Sequence, residues 1–145
     1  DDSIELSAEA NAWEVDPRWL DAAITTGDTD LVQSLARPKH QATQAFLSNQ
    51  FEELLKKKGD LDYQAWHLME TILRVEHPQA VEHFMAALNK VAGKKQNYYS
   101  YWLVRLIPML PKAAAPPIEA LLPAMHEKLV DQIVPFLSEL QAKSE

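Results

Sequence analysis

Residues 63–92 read YQAWHLMETILRVEHPQAVEHFMAALNKVA, and this stretch decides the fold. Its first half sets Ala65, Leu68, Met69 and Ile72 at the i, i+3, i+4, i+7 spacing of one helical face. The second half repeats the device with Val81, Phe84, Met85 and Leu88, then adds Val91 and Ala92. Between them His77-Pro78 breaks the run, because proline lacks an amide donor and steers the residue before it away from helix. Two helices with apolar stripes, joined by a tight corner, must bury those stripes on each other and on neighbours.

The flanking sequence supplies the neighbours. Residues 1–16 are acidic and weakly patterned, a lead-in whose one anchor is Trp13. Pro17 suits the first turn of a helix carrying Trp19, Leu20, Ala23 and Ile24, which stops at Gly27. Asp28 or Thr29 caps a second helix, with Leu31, Val32 and Leu35 on its face and Arg37-Pro38 at its end. A long helix follows with Leu47, Phe51, Leu54 and Leu55. Its last turn is basic (Lys56, Lys57, Lys58), and Gly59 supplies the left-handed cap. Asp60 or Asp62 opens the central pair. Beyond Gly93, Asn97 caps a helix bearing Leu103, Leu106, Ile107 and Leu110, which Pro108 and Pro111 bend or end. Pro116-Pro117 opens a short helix with Ile118, Leu121, Leu122 and Met125. The last helix, from about His126 to Gln141, carries Val130, Ile133, Val134 and Leu137, with Pro135 as a kink. Nothing reads as a strand.

The stripes superimpose on one another. Shifting Leu47, Phe51, Leu54 and Leu55 by 37 lands on Phe84, Leu88, Val91 and Ala92, and other helices match at 37 or 38. Repeats near 40 residues, each a helix pair, belong to stacked arrays of the HEAT or armadillo kind. The expected fold is therefore all-α, a right-handed α-α superhelix of about eight helices. Its units fall near 17–37, 38–76, 77–112 and 113–145, and the shortened last unit closes the array.

Composition bounds the function. A chain of 145 residues with 47% apolar and 24% charged residues is one ordinary globular domain. Three glycines leave no phosphate-cradling loop, and a net charge of −7 counts against nucleic acid as the partner. There is no cysteine, so no disulfide and no thiolate chemistry. No apolar run reaches the length of a membrane span, and no signal-peptide pattern is present. The expected setting is cytoplasmic, and the start at Asp1 suggests a piece of a larger protein.

Several strings carry a resemblance. Tyr98-Tyr99-Ser100-Tyr101-Trp102 continues through Arg105-Leu106-Ile107-Pro108 to Leu110-Pro111-Lys112; Glu119-Ala120-Leu121-Leu122-Pro123, Val130-Asp131-Gln132 and Leu35-Ala36-Arg37-Pro38 go with it. Together, over Trp19 to Leu140, they resemble helical-repeat segments of large bacterial MolR-like proteins. The resemblance implies a HEAT-like domain and brings no catalytic residues with it.

Chemistry is sparse. The histidines are His40, His67, His77, His83 and His126, with neither Glu-x-x-His nor His-Glu-x-x-His among them. His67 shares a face with Glu70, and His83 adjoins Glu82, yet the five read as unlinked surface residues. Ser34, Ser48, Ser100 and Ser138 all fall on helix patterns, unlike a nucleophile on a sharp turn. No enzyme, metal or cofactor is expected. Interest moves to the second helix of each unit, which lines the concave wall in such arrays. Tyr63, His67, Arg74, Tyr101 and Arg105 lie there off the apolar stripes, with Tyr101 and Arg105 each 38 residues beyond Tyr63 and His67. Tyrosine and arginine are enriched at interface hot spots. The expected function is a non-catalytic protein-interaction or scaffold module. The alternative is nucleic-acid binding through the same wall and the lysine edge at Lys56–Lys58 and Lys94–Lys95.

Overall fold

A computed structural model describes residues 17–36, 40–57, 61, 63–92 and 98–144. The lead-in at 1–16, the caps assigned to Gly59 and Asn97, the helix starts at Asp60 and Asp62, and Lys58, Lys94 and Lys95 lie outside the described residues. Eight α-helices and no strand occur among those described: α1 Pro17–Thr26, α2 Thr29–Leu35, α3 Gln41–Lys56, α4 Tyr63–Arg74, α5 Ala80–Ala92, α6 Tyr98–Val104, α7 Ala115–Leu121 and α8 Glu127–Gln141.

Their packing follows a simple rule. Each odd helix packs on the even helix that follows it. The odd helices also pack on one another in succession, α1 on α3, α3 on α5 and α5 on α7. The even helices α4, α6 and α8 do the same, and hydrogen bonds from Thr71 and Arg74 to Gln33 join α2 to α4. One continuous core runs between the two rows. Leu47 and Phe51 of α3, Leu68, Met69 and Ile72 of α4, and Phe84 and Leu88 of α5 are all buried in it.

The corners have identifiable causes. After α1 the amide of Asp28 bonds to the carbonyl of Ala23 and that of Gly27 to Ile24, with Gly27 at φ +73°. This is the 6→1, 5→2 pattern of a glycine-ended helix. After α4 the same pattern forms, with His77 bonded to Ile72 and Glu76 to Leu73, but the left-handed residue is Glu76 at φ +55°. Asp28 then caps α2 through the amide of Leu31. Two further caps are histidines: His40 Nδ1 accepts from the amide of Thr43 to start α3, and His126 Nδ1 from that of Lys128 to start α8. At the other end of α3, Lys90 reaches across from α5 and donates to the carbonyls of Leu55 and Lys57.

Four expectations need correction. The helix expected to run through Leu110 ends at Val104, and Ile107–Met109 forms a 3₁₀ turn. Pro108 has no amide for the carbonyl of Val104, so the chain tightens to i→i−3 bonds at Arg105 and Leu106. On α8 the buried stripe is Leu129, Ile133, Leu137 and Leu140, whereas Val134 is 45% exposed and Val130 half-buried. That arc was wide enough to be read in two registers, and the helix continues through Pro135, which lies on its exposed side. Leu31 is 42% exposed, whereas its counterpart Leu68 is buried on α4, which packs on α3, α5 and α6. Trp19 is also exposed; the core face of α1 is Leu20 and Ala23, one position further round.

Candidate functional site

The sequence places Tyr63, His67 and Arg74 on α4, and Tyr101 on α6 with Arg105 just past its end. Tyr63 is the first residue of α4 and 63% exposed. One turn on, His67 meets it edge to face at 4.2 Å between ring centroids. Trp66 sits against both rings, at 5.4 Å from Tyr63 and 4.7 Å from His67. Across the gap to α6, Trp66 meets Trp102 in a tilted contact, 5.1 Å between ring centroids and 42° between planes. Trp102 touches Tyr101, which is 43% exposed, and the Arg105 guanidinium lies 5.3 Å from the Tyr101 ring centre and 5.5 Å from that of Trp102.

The structure thus joins four of the five candidates into one seam, His67–Tyr63–Trp66–Trp102–Tyr101–Arg105, crossing from one even helix to the next. The two tryptophans that join them were missed. Their signal was present, since Trp66 is three residues after Tyr63 and Trp102 is adjacent to Tyr101, but neither was singled out. Both are half-buried. Trp66 Nε1 is buried with no hydrogen-bond partner among the described residues, a cost its ring contacts must offset.

Arg74 stands apart. Its Nη2 donates to the carbonyl of Gln33 at 2.6 Å, satisfying one of the open carbonyls at the end of α2. Together with Tyr63 and His67 it lines a groove of about 650 Å³ between α2, α3 and α4, where Asp28, Asp30 and Glu70 supply carboxylates. Tyr101 and Arg105 lie outside that groove. On the lysine edge, Lys56 pairs with Glu53 at 3.5 Å on an open surface, an interaction of little energetic weight.

The reading of five unlinked surface histidines fails at two of them. His77 and His83 are buried and share a hydroxyl, Ser48 Oγ, at 2.9 and 2.8 Å. A serine this close to an imidazole has the spacing of a nucleophile and its base. Ser48, however, lies inside α3, where backbone amides are spent on the helix, so no amide pair is available to hold an oxyanion. No group of three potential metal ligands occurs among the described residues, and none of their helices is long and apolar enough to cross a membrane. Comparison of the chain with protein-family models, curated proteins and solved structures gives no match.

Proposed function

We propose that this chain is a protein-interaction module: a right-handed superhelix of helix pairs, HEAT- or armadillo-like, that binds a protein segment along the wall of its even helices. The succession of odd on odd and even on even helices supports the stacked reading, and the MolR-like strings agree with it. The observation that carries the function is the seam itself. Aromatic rings and a guanidinium run across two successive even helices, α4 and α6, with Tyr63 and Tyr101 open to solvent at their two positions along it. Such rings offer large contact area at small rotamer cost, and the arginine fork adds directional donors beside them. The module is non-catalytic in this reading.

The test is site-directed photo-cross-linking. A benzophenone amino acid replaces Tyr63 or Tyr101 in one set of proteins and Trp19, an exposed residue of the odd helix α1, in the control. A discrete cross-linked partner from positions 63 and 101, absent at 19, supports the proposal. Equal yield at all three positions, or none at 63 and 101, rejects it.

A further inference from the structure

Away from the seam, α3 is tied to the corner between α4 and α5 by hydrogen bonds among three side chains, Ser48, His77 and His83. His77 Nδ1 accepts the amide proton of Gln79 at 2.9 Å, so that nitrogen carries no proton and the neutral ring holds its proton on Nε2. His77 Nε2 then donates toward the carbonyl of Gln44 at 3.0 Å, with Ser48 Oγ beside it at 2.9 Å. The Ser48 hydroxyl proton is left for His83 Nε2 at 2.8 Å. In this arrangement His83 Nε2 accepts from the serine only while its ring is neutral.

The surroundings reinforce this. His77 and His83 are 7% and 6% exposed, and their ring centres lie 5.4 Å apart. Phe51 of α3 meets His83 edge-on at 5.6 Å. A proton on His83 Nε2 would turn that nitrogen into a donor and leave the Ser48 hydroxyl proton without the acceptor it has in this arrangement. Glu52 of α3 and Glu82 of α5 are the charged groups that favour protonation. Burial, first, and the neighbouring His77, second, outweigh them and push His83 below its ordinary 6.5.

We infer that Ser48, His77 and His83 form an acid-released latch, closed while the His83 imidazole is neutral, that frees the α4–α5 corner from α3 when His83 is protonated. The direction follows from the linkage of protons to folding. His83 binds a proton less readily in the folded chain than in the unfolded one, so the unfolded state gains protons first as pH falls. The latch is at full strength above about 6.5 and weakens progressively below it. Release is local, because Leu47 and Phe51 still pack in one core with Phe84 and Leu88.

The experiment compares the full chain with His83→Gln, whose side-chain oxygen can accept from Ser48 without titrating. Amide exchange at Gln79 to His83, corrected for intrinsic rate, is followed from pH 7.5 to 5.5, with histidine NMR titration of the unaltered chain alongside. The latch requires protection at these amides to fall as the pH drops through 6.5 in the unaltered chain, by at most about tenfold at pH 5.5, the ceiling for one group at a pH one unit below its ordinary value, and to hold in His83→Gln. It also requires the proton of neutral His77 on Nε2. The inference is overturned if both chains lose protection alike, or if His83 titrates at or above 6.5. The second measurement needs no variant, so a misfolded His83→Gln does not spare the idea. His40 and His126 also cap helices through Nδ1, and both are the same in the two chains compared.

Discussion

Trp66 of α4 and Trp102 of α6 meet at 5.1 Å between ring centres, one helix pair apart in the chain. This contact holds two even helices in register and sets Tyr63 and Tyr101 along the same seam. If the pair acts as a unit, a double-mutant cycle on Trp66→Leu and Trp102→Leu will show a coupling of about 0.5–1.5 kcal/mol, the usual worth of an aromatic pair beyond its area. Strict additivity would mean that the rings merely lie close.

Leu88 is fully buried at the centre of the core, on the face that meets Leu68, Met69 and Phe84 in one cluster. Leu88→Ala leaves a cavity that helices on both sides cannot easily fill. Chemical unfolding is expected to show a loss of roughly 2–5 kcal/mol. A loss under 1 kcal/mol would place Leu88 outside the continuous core.

Glu76 occupies a left-handed position that an L side chain adopts at a cost. Glycine has no such penalty, although it adds freedom to the unfolded chain. Glu76→Gly is therefore expected to raise stability, by up to about 1 kcal/mol. A clear decrease would show that the Glu76 side chain contributes more to the corner than its backbone costs.

Helix α8 is tied to the rest of the described chain by several contacts. It packs on α6, on α7 and on the Ile107–Met109 turn, the amide of His126 bonds to the carbonyl of Ala92, and Lys143 donates to that of Leu110. Deleting residues 126–145 uncovers Leu103, Ile107 and Ile118, all buried in the complete chain. The truncated protein is expected to aggregate or to melt well below the full chain. A monomer with unchanged melting temperature would show that α8 is dispensable.

The sequence showed the helices well and the links between them poorly. The stripes at Ala65–Ile72 and Val81–Leu88 and the break at His77-Pro78 are local signals, and the structure agrees with them. The α8 register was misread because Leu129, Val130, Ile133, Val134, Leu137 and Leu140 cover too wide an arc for spacing alone to choose a face. The left-handed Glu76 carried no signal, since glycine is the residue expected there. At the site, Tyr63, His67, Tyr101 and Arg105 were legible as residues off the stripes. The Trp66–Trp102 contact was not, because it forms between helices and leaves no spacing within either. The Ser48–His77–His83 cluster escaped for the same reason: α3, the corner and α5 meet there only once the chain has folded.

The central claim is that the seam binds a protein segment, and the most direct measurement is affinity. With the partner captured by cross-linking at positions 63 and 101, calorimetric titration of the unaltered chain is set against Tyr101→Ala with Arg105→Ala. Both side chains are exposed, so the melting temperature is expected to change little. The binding free energy is expected to weaken by on the order of 1–4 kcal/mol, the range of hot-spot truncations. Unchanged affinity in a stably folded double variant would contradict the assignment of this seam as the binding surface.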